Sequence, residues 1–71
     1  MKIIARSEYS DIIDDGDYWL VYCTFPGKEG VHKRVLKEDN PFYPLAMIMK
    51  YDAEPVDHEF LEKLGKKMRN Q

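Results

Sequence analysis

The sequence predicts one small α+β domain over residues 1–71, with a three-stranded antiparallel meander followed by two C-terminal helices packed on one face. Two observations lead to this prediction. Segments rich in β-branched and aromatic residues fill the first half of the chain, and an amphipathic helical pattern fills its end. A four-stranded sheet with one C-terminal helix is the alternative, because residues 45–51 also fit a strand.

The composition is that of a folded protein, with 44% hydrophobic and 34% charged residues. The net charge of −2 excludes a strongly basic nucleic-acid binder and a heavily acidic DNA mimic. No apolar run approaches the ~20 residues of a membrane span, so we expect no membrane partner. The single cysteine, Cys23, cannot form an internal disulfide, which predicts a reducing compartment and a cytoplasmic protein.

Three segments of the first half are predicted strands, joined by turns: KIIARSEY, YWLVYCTF and VHKRVLK. In the second segment, alternation places Trp19 and Val21 on the core face, and Tyr18 and Tyr22 on a half-exposed face. The PGKEG turn before the third segment has room for a loop of four or five residues, so the register of that strand stays open.

Aspartates surround Gly16 in the segment SDIIDDGDYW, at positions Asp11, Asp14, Asp15 and Asp17. Aligning Gly16 with position 6 of a calcium-binding EF-hand loop puts Ile13 and Tyr22 at two ligand positions, so the match fails. Paired catalytic carboxylates must face each other across a cleft, which one tight turn does not build. We therefore interpret DDGD as a turn between the first two strands, and we expect no metal and no cofactor.

Two helices are predicted in the second half. In NPFYPLAMIMKY, Asn40 suits the cap and Pro41 the first helical position. In PVDHEFLEKLGKKMRNQ, Pro55 suits the first turn, and acids precede bases as the helix dipole favours. The apolar stripe of this second helix comprises Val56, Phe60, Leu61, Leu64 and Met68, with His58 on the opposite, exposed side.

No catalytic motif is present, so we expect no enzyme. The chain has no G-x-S-x-G element, and GKEG lacks the spacing of a phosphate-binding loop. His32 beside Lys33 and Arg34 has the residue types of a metal-free ribonuclease, but a strand with a polar outer face has the same pattern.

The predicted function is therefore protein binding without catalysis. We expect a small interaction module, an inhibitor or adaptor, that binds a partner protein or itself. In helical geometry Tyr43, Met47 and Tyr51 share one stripe, and we predict that they are partly exposed and form the centre of an interface. On this hypothesis Met47→Asp abolishes association and leaves the fold nearly as stable. Other apolar residues are left to anchor the helix to the sheet: Leu45, Ile48 and Met49.

The alternative function is a sheet-type nucleic-acid-binding domain. Its candidate residues are aromatic or basic and fall on adjacent predicted strands: Tyr22, His32, Lys33, Arg34 and Lys37. The hairpin DGDYWLVYCTFPGKEGVHKRVL resembles the sheet of the arm-type DNA-binding domains of tyrosine recombinases, in which an aromatic strand, a glycine turn and a basic strand enter the major groove. This resemblance covers about a third of the chain and implies contacts to phosphates that weaken as salt rises.

Overall fold

The structure, a computed structural model, describes residues 1–70, which form a five-stranded antiparallel sheet and two α-helices. The strands are β1 (Lys2–Arg6), β2 (Ser10–Asp15), β3 (Tyr18–Cys23), β4 (Gly30–Leu36) and β5 (Glu54–Pro55), and the helices are α1 (Tyr43–Tyr51) and α2 (His58–Arg69). The spatial order is β4-β3-β2-β1-β5. The α+β class is confirmed, whereas the predicted strand number of three is wrong, as is the alternative with four strands and one helix.

Two strands are missing from the prediction, β2 and the short β5, and β2 holds most of the aspartate segment. It pairs along its whole length with β3, from Ser10 opposite Cys23 to Asp15 opposite Tyr18. The hairpin loop between them is the two residues Gly16 and Asp17. Gly16 has φ 58°, the positive value that a type II′ turn requires at its first central residue. The turn in DDGD is thus confirmed, but the aspartates that precede it lie on a strand.

The short strand β5 explains why α2 begins later than expected. Pro55 pairs with Ala5 of β1 instead of opening the helix. The carbonyl of Ile4 then accepts hydrogen bonds from the backbone N–H groups of Val56 (2.7 Å) and Asp57 (3.0 Å). The chain is therefore tied to the sheet immediately before α2 starts.

The core lies between one face of the sheet and the two helices. Its buried cluster comprises Ile4, Ala5, Ile12, Trp19, Val21, Tyr43 and Ala53. Both helices pack against this cluster, α1 through Met47 and Ile48 and α2 through Phe60 and Leu61, so both cover the same face, as predicted. Trp19 and Val21 lie on the core face, also as predicted.

The rotation of α1 differs from the prediction. The helix begins at Tyr43 with Phe42 as its N-cap, rather than at Pro41 with Asn40 as the cap. Tyr43 is buried, with 6% exposure, so the expectation that it is partly exposed is wrong. Burial also raises the pKa of its hydroxyl. Met49, expected to anchor the helix, is 83% exposed and points away from the sheet.

The other face of the sheet carries no helix, yet its central side chains are covered. Ile13 and Leu20 are buried there, outside the core cluster. Arg34 lies opposite Leu20, and its guanidinium stacks 3.9 Å from the centre of the Tyr18 ring. The Arg34 side chain thus covers part of this face. Within residues 1–70, neither helix has the length and apolar character needed to cross a membrane.

Candidate functional site

A groove of about 630 Å³ opens on the helix side of the sheet, where α2 meets the segment between β4 and α1. Its volume lies within the ~300–1,000 Å³ range of ligand-binding pockets. Aromatic and aliphatic side chains form most of its surface, and three lysines stand around it. The lining residues are Trp19, Lys37, Pro41, Phe42, Phe60, Lys63, Leu64 and Lys67.

Trp19 of β3 forms the floor of this groove and is held by three contacts. Its indole Nε1–H donates a hydrogen bond to the carbonyl of Asn40 at 3.0 Å. The Phe60 ring meets it edge-on with a centroid distance of 5.9 Å, and the ammonium of Lys37 lies 4.5 Å from its ring centre. A buried indole N–H needs such a partner, so Trp19 pins the segment before α1 against the sheet.

Lys37 closes one end of the groove. Its ammonium pairs with the carboxylate of Asp14 on β2, and its backbone N–H donates to the carbonyl of Asp17 at 2.8 Å. The charge of Lys37 is therefore offset locally, and its position beside Trp19 is fixed from two sides. Asp14 on β2 thus has a structural role in this ion pair.

One face of α2 forms the opposite wall. Spacings of four residues relate Phe60 to Leu64 and Lys63 to Lys67, and spacings of three relate Phe60 to Lys63 and Leu64 to Lys67, which places all four on a single face. Lys63 pairs with Glu59 at 3.2 Å, but both side chains are largely exposed, and such pairs contribute at most ~1 kcal/mol. Within residues 1–70, no carboxylate lies within ion-pair distance of Lys67.

The first turn of α2 is anchored by Asp57, which fixes where Phe60 stands. One carboxylate oxygen of Asp57 accepts a hydrogen bond from the backbone N–H of Phe60 at 3.1 Å, and the other lies 2.6 Å from the ammonium of Lys2 on β1. The hydrogen bond from Lys2, followed by that from Phe60, lowers the pKa of Asp57. This cap ties the wall of the groove to the sheet.

The strand pairing separates the aspartates around Gly16. Asp14 pairs with Lys37, and Asp11 lies 3.8 Å from Arg6 on the opposite face of the sheet. Within the described part of the chain, no group of three or more His, Cys, Asp or Glu side chains is placed to hold a metal ion.

The residues predicted to form an interface lie on the inner side of α1. Met47 and Tyr51 are half-buried and pack against the core cluster beside the buried Tyr43. Lys50 lies 5.5 Å from the centre of the Tyr51 ring. An interface at Met47 and Tyr51 stays a prediction, with a smaller accessible area than the sequence pattern implied.

The residues of the nucleic-acid alternative are separated by the sheet. The strand pairing places Tyr22 on the face of Arg34, which carries no helix, whereas Lys37 lies on the helix side at Trp19. His32 and Lys33 are exposed on β4, where the pairing with β3 shifts register. The structure therefore does not gather the five into one surface, and the alternative stays a prediction.

Sequence reasoning did not identify the groove. It placed Trp19 on the core face of a strand and Phe60 and Leu64 on the apolar stripe of a helix, and it treated the lysines of that helix as bases that follow acids. A signal was present in α2, where lysines stand directly beside the apolar stripe at positions 63 and 67. The other wall has no local signal, because it depends on the tertiary hydrogen bond from Trp19 to Asn40.

No protein-family model, curated protein or solved structure matches the chain at a significant level of similarity.

Proposed function

We propose that the protein is a small non-catalytic interaction module, an inhibitor or adaptor, which binds a segment of a partner protein in the groove beside Trp19. One observation supports this proposal above the others. Pro41 is exposed and Phe42 and Phe60 are half-buried, so they present apolar surface in a concavity with a fixed floor. Concave apolar surfaces with a few polar groups are typical of binding sites.

The binding energy in this proposal comes from one inserted apolar side chain. Removing apolar surface from water contributes ~25 cal/mol per Å², and the centre of an interface carries most of the energy. Phe42 and Phe60 supply that surface from two sides. Because Trp19 and Asp57 already hold the walls in place, little conformational entropy is lost when the segment binds.

A separate partner suits the groove better than a second copy of the chain. A groove that receives a different surface of an identical molecule makes a head-to-tail contact, which builds rings or open filaments instead of the two-fold dimers that are commonest among homo-oligomers. We also propose a cytoplasmic setting, because Cys23 is a lone, half-buried cysteine and the fold uses no disulfide.

The test uses the fluorescence of Trp19, the single tryptophan of the chain. Peptides selected from a random library on the purified protein are titrated against it, and Phe42→Ala is expected to weaken their binding at least tenfold, the ~1.4 kcal/mol typical of a central contact. Met49→Ala is the matched control, because Met49 is 83% exposed and lies outside the groove.

Circular dichroism is used to check that Phe42→Ala is folded. Equal affinities of the wild-type protein and folded Phe42→Ala for the selected peptides would refute the groove as the binding site. Micromolar or tighter binding of oligonucleotides that is lost in Arg34→Ala would favour the nucleic-acid alternative instead.

A further inference from the structure

We propose that the segment bound in the groove is acidic, with carboxylates next to its apolar anchor that contact Lys63 and Lys67 on the wall formed by α2. This inference rests on the proposed function and adds the chemical class of the partner. The inference is based on the position of Lys63 and Lys67, which lie directly beside two apolar residues, Phe60 and Leu64, on the same helix face.

The charges that line the groove are of one sign. Among residues 1–70, three of the lining residues are lysines and none is acidic. Asp14 offsets the charge of Lys37, so the excess positive charge lies on the α2 wall. Lys66 and Arg69 lie on the same helix but outside the groove, and Lys66 pairs with Glu62 at 3.6 Å. A ligand that brings carboxylates is therefore attracted to this wall, and one that brings lysines or arginines is repelled.

The two lysines of the wall are available to a ligand. The pair of Lys63 with Glu59 is solvent-exposed, with side-chain exposures of 72% and 82%, so a ligand carboxylate replaces Glu59 at little cost. Lys67 has no such partner among residues 1–70. A carboxylate held in a groove against apolar side chains is screened less than one on an open surface, which strengthens its attraction to both ammonium groups.

The start of α1 adds to the positive potential on the other side of the groove. Phe42, a lining residue, is the N-cap of α1, and the first turn of this helix contains no acidic residue. The N-terminal end of a helix carries a partial positive charge that acidic residues usually offset.

The spacing of the lysines sets the spacing of the carboxylates. Side chains at i and i+4 of a helix stand about 5–6 Å apart at Cβ, and an extended segment advances ~3.3 Å per residue. In an extended segment residues i and i+2 point to the same side, about 6.6 Å apart, so two acidic residues that flank one apolar residue match Lys63 and Lys67. The apolar residue between them points the opposite way, toward the wall at Phe42. The inferred recognition element is acid–apolar–acid.

The test compares three peptides with the same aromatic anchor, flanked by two glutamates, by two glutamines or by two lysines. Each is titrated against the protein with Trp19 fluorescence as the readout. We expect the glutamate peptide to bind at least tenfold more tightly than the glutamine peptide, and the lysine peptide to bind most weakly. The advantage of the glutamate peptide should shrink when salt rises from 50 to 500 mM.

A pair of double variants locates the contact. Lys63→Glu with Lys67→Glu reverses the charge on the wall, whereas Lys66→Glu with Arg69→Glu makes the same change in net charge on the same helix, outside the groove. All four side chains are exposed, so both variants should fold. We expect the first to abolish the preference for the glutamate peptide and the second to change its affinity less than threefold.

The failure of this inference and the failure of the proposed function give different results. Equal binding of the glutamate and glutamine peptides, both weakened in Phe42→Ala, overturns the acidic partner and leaves the groove as a protein-binding site. An equal loss of affinity for the glutamate peptide in the two double variants also overturns it. The attraction would then come from the total charge of α2 and not from a contact with Lys63 and Lys67. Peptide binding that is indifferent to Phe42→Ala removes the proposed function itself.

Discussion

Replacing Met47 with aspartate separates a core role from an interface role for the inner side of α1. The Met47 side chain is half-buried and packs against the core cluster. Truncating a fully buried methionine costs ~2–5 kcal/mol, so a half-buried one costs about half of that. A partly desolvated carboxylate without a partner adds ~1–3 kcal/mol. We therefore expect a loss of about 2–5 kcal/mol, out of ~4–11 kcal/mol for a domain of this length.

The assay is urea and thermal unfolding followed by circular dichroism. At 4–8 °C per kcal/mol for a domain of this size, the Tm of Met47→Asp should fall by at least ~8 °C. Met49→Asp is the matched control on the same helix, and its 83% exposure predicts a change within about 0.5 kcal/mol. A Met47→Asp protein that is as stable as the wild type and has lost an association would refute the packing argument and establish the interface that the sequence pattern predicts.

Three further predictions concern charged groups. The pKa of Asp57 is lowered by its hydrogen bond from Lys2, so its contribution to stability is present above the usual carboxyl pKa of ~4 and is lost as pH falls through the lower folded value. Asp57→Asn should thus be less stable at pH 7, and its urea midpoint should fall less between about pH 4 and 2. Excess Ca²⁺, Mg²⁺ or Zn²⁺ should leave the Tm unchanged, and a rise of several degrees would contradict the structural role of the aspartates. Mixed oligonucleotides should bind only weakly even at low salt, as measured by fluorescence anisotropy.

The parts of the fold that the sequence predicts are those with a local pattern. In β3 the alternation places Trp19 and Val21 on the core face, although Leu20 between them is also buried, on the other face of the sheet. In α2 an apolar stripe is accompanied by acids before bases. In both elements the period of the side chains matches the element. The exposed ion pairs from Glu59 to Lys63 and from Glu62 to Lys66 occur as their spacing predicts.

The strand β2 was missed because its polar residues oppose the usual preferences of strands. Aspartate is depleted in strands, and here three of six residues are aspartates. Asp11 and Asp14 are stabilised by Arg6 and Lys37, which lie on other elements. Such partners are tertiary, so no window along the chain reveals them.

The rotation of α1 was missed for a different reason. Apolar residues point almost all round this helix, so periodicity does not choose which side meets the sheet. The choice is made by the exit of the helix, where Asp52 adopts a left-handed conformation with φ 52° and the N–H of Ala53 donates to the carbonyl of Ile48 at 2.9 Å. This turn buries Ala53 in the core and directs the chain into β5. Glycine usually marks such an exit, and the sequence has none here.

The groove follows from the small number of helices in the fold. The main contacts of the helices with the sheet are those of α1 with β2 and of α2 with β1. Beside β3 and the end of β4, a strip of the surface therefore has no helix lying along it, and the groove opens at this strip. Trp19 lies at this strip and is covered by Lys37, the Asn40 carbonyl and Phe60 instead of by a third helix.

A ligand that fills the groove at this strip buries the apolar surface that the two helices leave exposed to water. Because such a ligand binds only the folded chain, it should stabilise the fold by RT ln(1 + [L]/Kd), which is ~2.7 kcal/mol at a hundredfold excess over Kd. For a domain of this size that is a rise in Tm of about 10–20 °C. Thermal unfolding thus measures occupancy of the groove independently of the fluorescence of Trp19. A peptide that changes the fluorescence and leaves the Tm unmoved at that excess would show that it does not bind preferentially to the folded chain.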